Sequence, residues 1–180
     1  LVRENSVGRS VLNLFGYTRG YALAAAEGKA DKITFVEVSK GNIEWAKRNF
    51  FLNKISTDNV MFYCRDSVIF LNQCLKKSAK FDLIICDVPT FFRSEKGIFV
   101  IEKDFENFVA NALSCLSFGG ELLISTQYDG FFIPDLNLLF QRVQRTLGIK
   151  NLKISSILPS FDFERPDQKA NLKSFHLKIE

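Results

Sequence analysis

Apolar residues in this chain fall into short blocks separated by stretches of helical periodicity. Seven blocks read as strands: 11–15, 32–38, 60–64, 81–86, 121–125, 152–158 and 175–179. Several are almost continuously apolar, the mark of strands covered on both faces. Between them, Phe105, Phe108, Val109, Ala112 and Leu116 recur at helical spacing, and Leu136, Leu139, Phe140, Val143 and Leu147 repeat it. Ile43, Ala46 and Phe50 form a weaker stripe after Ser39, which is placed to cap it. The Ala-rich segment 20–28 is good helix material, and Asp66 can cap a further helix running to about residue 77.

The order β-α-β-α-β-α-β-α-β-α-β-β predicts an α/β fold, doubly wound, with a mostly parallel sheet and helices on both faces. No helical pattern separates the last two blocks. They are expected to pair antiparallel at one edge, joined by the long loop 159–174. There is no internal repeat and no second domain. The chain opens at Leu1 rather than Met, so the expectation is one domain over residues 1–180 within a longer protein.

Composition narrows the classes. At 47% hydrophobic and 24% charged, the chain can bury a core and is not intrinsically disordered. No run approaches the roughly 20 apolar residues of a membrane span, and no signal peptide is visible. The net charge of +4 permits a nucleic-acid partner without demanding one, because the charges are interspersed and most lysines read as solvated. Cys64, Cys74, Cys86 and Cys115 form no C-x-x-C pair, which argues against a zinc cluster and suits a reducing cytosol. The single histidine, His176, excludes two-histidine chemistry. No metal is expected.

In open α/β sheets, ligands bind beyond the C-terminal ends of the strands. After the first strand comes Phe15-Gly16-Tyr17-Thr18-Arg19-Gly20, where glycine permits close backbone approach, although a plain strand–helix turn would use it too. Glu37 ends the second strand, 21 residues past Gly16, the spacing of an acid that accepts ribose hydroxyls. Asp66 follows the third strand and could accept from an adenine amino group, cap its helix, or both. Asp87-Val88-Pro89-Thr90-Phe91 follows the fourth, an acid and a stiff turn ahead of Phe91 and Phe92. Those two rings could stack on a base or simply pack. Four strand ends of this kind suit an adenosyl group.

The stretches 11–20, Val36-Glu37-Val38-Ser39, Glu44-Trp45-Ala46-Lys47-Arg48-Asn49 with Leu52-Asn53, Phe81-Asp82-Leu83-Ile84 and 87–91 together resemble the class I S-adenosylmethionine-dependent rRNA methyltransferases. Within them, the chain is most similar to the guanine-N7 methyltransferase half of the bifunctional bacterial 23S rRNA enzymes. The resemblance implies a seven-stranded, Rossmann-like sheet with a C-terminal antiparallel hairpin. It implies that Asn13, Phe15, Gly16, Tyr17, Thr18 and Gly20 embrace the methionine part of S-adenosylmethionine. It places Glu37, with Ser39, on the ribose, Asp66 on the adenine, and Asp87 with Pro89 at the transferred methyl and target base. A catalytic domain of this family usually follows an RNA-binding module. The chain departs from the family pattern at Arg19, where glycine is usual, and at Val88, where proline is usual. Both departures bear on cofactor affinity.

The implied substrate is 23S rRNA or its large-subunit precursor, in the cytoplasm, with a homodimer permitted. Its target base must be unstacked, with Phe91, Phe92, Tyr128 and Phe131 as stacking groups. Arg93 and Lys96, and Arg165, Lys169 and Lys173 of the late loop, are candidates for phosphate contact or ordinary solvated charges. Cytosine C5 needs a cysteine thiolate to attack the ring first. The C5 relatives carry one after the fifth strand, where this chain reads Ser125-Thr126-Gln127-Tyr128. Guanine N7 already bears a lone pair and needs no such group, so N7 is the expected target. The alternatives are another base or a small molecule on the same fold, or a degenerate domain that only binds RNA.

Overall fold

The computed structural model describes residues 1–17, 20–94, 97–158 and 172–180. A 3₁₀ turn (Glu4–Ser6) leads into β1 (Ser10–Leu14), α1 (Tyr21–Glu27), β2 (Lys32–Glu37), α2 (Lys40–Leu52), β3 (Val60–Cys64), α3 (Ser67–Lys76) and β4 (Phe81–Val88). A short hairpin, β5 (Phe91–Ser94) and β6 (Gly97–Val100), precedes α4 (Ile101–Ser114), β7 (Leu116–Thr126), α5 (Ile133–Thr146), β8 (Leu152–Ile157) and β9 (Lys173–Ile179). Seven strands form one sheet in the order β3-β2-β1-β4-β7-β9-β8. All neighbours in it are parallel except β7–β9 and β8–β9. This is the expected doubly wound sheet with its antiparallel C-terminal hairpin.

Alternation explains the two cores. In β4, Ile84, Cys86 and Val88 face α3, α4 and α5, while Leu83 and Ile85 face α1 and α2. A strand covered on both faces therefore reads as one continuous apolar run. Ser39 caps α2 by accepting from the Asn42 N–H at 3.3 Å, as its position predicts.

Three features differ from the sequence expectation. Leu116 continues the helical stripe of α4, yet α4 ends at Ser114 and Leu116 pairs with Phe81 as the first residue of β7. Between Leu116 and Glu121 the strand bulges against β4, and Gly119 takes the positive φ of +73° that the bulge requires. The β5–β6 hairpin forms where the sequence pattern predicts loop, and Phe92 stacks on Phe99 across it at 4.8 Å. Asp87 and Val88, expected in the turn after the fourth strand, instead belong to β4, where Val88 is buried opposite Thr126.

The end of the sheet remote from the strand C-termini is held by two carboxylates. Asp82 accepts from the Ser10 N–H at 2.9 Å, the Ser10 hydroxyl at 2.7 Å and the Ser117 hydroxyl at 2.7 Å, tying β1, β4 and β7 together. Glu121, buried in β7, meets His176 at 2.9 Å, Arg9 at 3.1 Å and Lys178 at 3.5 Å. Burial pushes both pKa values up, but hydrogen bonds from Ser10 and Ser117 to Asp82, and Arg9 and His176 beside Glu121, more than offset it. Both carboxyls are held below their ordinary values. A lowered folded pKa contributes stability that is complete above the unfolded value of about 4 and is lost as pH falls through the folded values. Thermal unfolding should therefore be nearly flat from neutral pH down to about 5 and decline below about 4. Asp82→Asn should lower the neutral plateau and flatten the acid decline. Identical acid slopes in variant and wild type would show that Asp82 is not linked to folding.

Candidate active site

The strand order reverses between β1 and β4, and there the C-terminal ends of β1, β2 and β4 open into a cleft of about 240 Å³. Phe15, Tyr17, Glu37, Asp66, Asp87 and Pro89 line it from the sheet and the N-terminus of α3. The hairpin adds Phe91, Phe92 and Arg93.

The turn leaving β1 is pinned by its backbone. Phe15 and Tyr17 take left-handed φ values of 52° and 48°, a conformation that costs a non-glycine residue about 1 kcal/mol or more. The Phe15 N–H donates to Ser67 Oγ at 2.8 Å, the Gly16 N–H to the Val36 carbonyl at 3.0 Å, and the Tyr17 N–H to Glu37 Oε2 at 2.9 Å. Three consecutive donors are thus satisfied by the ends of β2 and α3. Gly16 is needed for packing rather than for open space. A Cβ there would lie 2.4 Å from the Phe35 ring, far inside contact distance.

Glu37 is 4% exposed, and its carboxylate organises the turn. Besides Tyr17, it accepts from the Ser39 N–H at 2.9 Å and the Asn42 amide at 3.2 Å, both on Oε1. A carboxylate has about four acceptor positions, so Oε2 retains one. Asp66 accepts from the Val68 and Ile69 N–H groups at 2.8 and 3.0 Å, both on Oδ1, which makes it the N-cap of α3. No donor among the described residues reaches its Oδ2. Two buried carboxylates with acceptor capacity facing one cleft call for a ligand with hydroxyl and amino donors. The ribose and adenine of S-adenosylmethionine supply both, so the residues present fit that cofactor. Val38, exposed beside Glu37, adds an apolar contact for a flat ring.

Asp87, the penultimate residue of β4, accepts from the Ser125 hydroxyl at 3.0 Å. Phe92 is anchored: it meets Phe15 edge-on at 5.3 Å, and Phe15 and Phe99 both contact Phe108 of α4. This aromatic group clamps the hairpin over the cleft, so Phe92 is a wall of the site. Phe91, 56% exposed, is the free ring at its mouth.

Other expected residues stand back from the cleft. Asn13 is fully buried, its amide donating to the Leu14 carbonyl while Oδ1 has no partner among the described residues. Gly20 is the exposed N-cap of α1, and Ser39 acts through Glu37. Tyr128 packs edge-on against Phe131, and its hydroxyl donates to Glu102. Thr18, Arg19, Lys96, Arg165 and Lys169 lie outside the described residues. Ser67, Ser125 and Asn42, which the sequence did not single out, hold the turn, Asp87 and Glu37. Only the proximity of Ser67 to Asp66 hinted at any of them.

No cysteine lines the cleft. Burial pushes the thiols of Cys86 and Cys74 up, and that of Cys115 to about 12, while Cys64 is exposed and donates to the Val38 carbonyl. Among the described residues no His/Cys/Asp/Glu cluster could hold a metal ion, and no helix is long and apolar enough to cross a membrane.

A family described as S-adenosylmethionine-dependent methyltransferase matches residues 1–175. Ribosomal RNA large subunit methyltransferase K of Neisseria meningitidis is 32% identical over 162 residues, which are 89% of this chain and 44% of that protein. Ribosomal RNA large subunit methyltransferase K/L of Shewanella pealeana is 36% identical over 168 residues, 92% of this chain and 22% of that protein. The chain thus spans less than half the length of these relatives. Among solved structures, SMU.776 complexed with SAH superposes with a TM-score of 0.81 at 26% identity, over 99% of this chain and 47% of that one. A methyltransferase of Agrobacterium tumefaciens shares the fold, with a TM-score of 0.78 at 23% identity, over 99% of this chain and 58% of that one. With the cleft at the switch point and its open carboxylate oxygens, the family match over nearly the whole length decides the matter: the chain belongs to the S-adenosylmethionine-dependent methyltransferase family.

Proposed function

We propose that this chain is the catalytic part of an enzyme that methylates N7 of a guanine in 23S rRNA, in a reducing cytosol. The relatives that carry rRNA methyltransferase names support the substrate class. The placement of the cysteines supports the atom: three are buried with raised pKa values, and the exposed Cys64 lies outside the lining of the cleft. A thiolate attack, which methylation at cytosine C5 requires, has no group to perform it.

S-adenosylmethionine, when bound, supplies a methyl group activated by its sulfonium. Glu37 accepts from the ribose and keeps the β1 turn closed, and Asp66 accepts from the adenine amino group. Guanine N7 carries an in-plane lone pair and would accept that methyl group without first losing a proton, so the chain's residues need only orient the base and keep water out. Positive charge then grows on the base, and Asp87 accepts its N–H groups and stabilises that charge. Pro89 stiffens the turn behind Asp87. Phe91 stacks on the unstacked base, Phe92 walls the site from water, and Arg93 meets the flanking phosphate.

The test is to incubate the protein with S-adenosylmethionine and unmodified 23S rRNA, digest to nucleosides and identify the product by mass spectrometry. The expected product is 7-methylguanosine. Any other methylated nucleoside, 5-methylcytidine above all, would overturn the choice of atom.

A further inference from the structure

We propose that the groove under α3, along the β3 edge of the sheet, is a second binding site that takes a single-stranded segment of RNA. The proposal rests on the rRNA reading above and extends it to a surface outside the active site. The groove encloses about 420 Å³, more than the active-site cleft.

It exists because α3 does not cover the outermost strand. Leu71 and Cys74 of α3 pack in the core with Leu12, Leu14 and Ile84 of β1 and β4. α2 covers the opposite face of β3, where Phe50 meets Phe62 edge-on. On the α3 side, Met61 and Tyr63 of β3 are left 37% and 38% exposed. Tyr63 lies against Phe70 at 4.9 Å, with its hydroxyl 3.8 Å from the Met61 sulfur. The result is an aromatic platform open to solvent.

Lys32, Arg65, Lys77 and Lys80 line the groove, and no acidic residue does. Asp82, nearby on β4, is occupied by Ser10 and Ser117. Cations spaced along a groove that offers an aromatic face are the arrangement that binds single strands: the charges track phosphates and the ring stacks on a base. Lys80 is held in place by donating to the Ser114 carbonyl at 2.8 Å. The groove begins at Arg65, adjacent in sequence to Asp66 of the active site. It follows the ten residues of α3, about 15 Å, to Lys77 and Lys80. A strand lying in it would enter the reaction cleft past the start of α3.

The test uses fluorescence anisotropy with a 5′-labelled single-stranded RNA oligomer, titrated at several salt concentrations. The double variant Lys32→Gln with Lys77→Gln changes exposed side chains only. It should reduce the slope of log affinity against log salt by about 1.4, roughly 0.7 for each phosphate that is no longer neutralised. Tyr63→Ala should weaken binding about tenfold by removing the stacking ring. Binding of S-adenosylmethionine, measured by calorimetry, should match wild type in both. Wild-type affinity and salt slope in the variants would overturn the groove while leaving the methyltransferase reading intact. Displacement of the RNA by poly-glutamate as readily as by unlabelled RNA would overturn it in favour of an acidic peptide. Failure of the wild-type protein to bind S-adenosylmethionine would count against the enzyme reading, separately from the groove.

Discussion

Glu37→Gln should weaken S-adenosylmethionine binding about a hundredfold and lower the melting temperature of the free protein. The carboxylate accepts from the N–H groups of Tyr17 and Ser39 and from the Asn42 amide, and keeps one position on Oε2. Glutamine has the same shape but replaces one oxygen with a donor. Whichever way the amide turns, that donor confronts a backbone N–H, and a buried unsatisfied group costs about 1–3 kcal/mol. With the amide nitrogen toward Tyr17, the turn that holds Phe15 and Tyr17 in left-handed conformations loses a bond; with it toward Ser39, the start of α2 does. A hydrogen bond from a ribose hydroxyl to the charged oxygen, worth about 1.5–3 kcal/mol, is weakened as well. A loss of about 2.7 kcal/mol is a hundredfold in Kd. Asn42→Ala is the control. It removes one neutral partner and leaves both backbone donors satisfied, so affinity should fall by about fivefold or less. Calorimetry and thermal melts on both variants read the result. Equal affinities for Glu37→Gln and wild type would remove Glu37 from the cofactor site.

Most of the sheet was legible because its central strands are buried on both faces, so β1, β2 and β4 appear as nearly continuous apolar runs, interrupted inside the sheet by Asn13, Thr34 and Asp82. The acids at the strand ends were legible for a related reason: topology gathers the C-termini of β1, β2 and β4 at one place, so residues distant in sequence converge there. Long-range pairing was not legible. Leu116 keeps the helical spacing of α4, and only its pairing with Phe81 takes it into β7. The β5–β6 hairpin has four-residue strands, too short for alternation to stand out, and it is secured by Phe15 and Phe108 from elsewhere in the chain. The same limit applies in the site. For Gly16 the sequence left both a close approach to a ligand and a plain turn open, and it gave no sign that the atoms a Cβ would strike belong to Phe35. Ser67 and Ser125 act through the direction of a hydroxyl, which sequence spacing does not specify.

Asp87→Asn should reduce the rate of methyl transfer about a hundredfold or more while changing the Kd for S-adenosylmethionine by less than about tenfold. The substitution preserves volume and leaves an oxygen to accept from the Ser125 hydroxyl, so the end of β4 should keep its place. What it removes, on the proposed reaction, is the negative charge beside a base that would become positive as N7 is methylated. An interaction that strengthens only as that charge develops lowers kcat when removed, not ground-state binding. Ser125→Ala should cost about fivefold, because it frees the carboxylate to turn but leaves its charge. Single-turnover methylation with cofactor already bound isolates the step. The contrast with Glu37→Gln is the decisive part. A variant impaired in cofactor binding recovers its rate at saturating S-adenosylmethionine, and one impaired in chemistry does not. If Asp87→Asn were rescued by excess cofactor, Asp87 would belong with Glu37 as a binding residue, and the charge on the base would have to be stabilised by another group in the cleft.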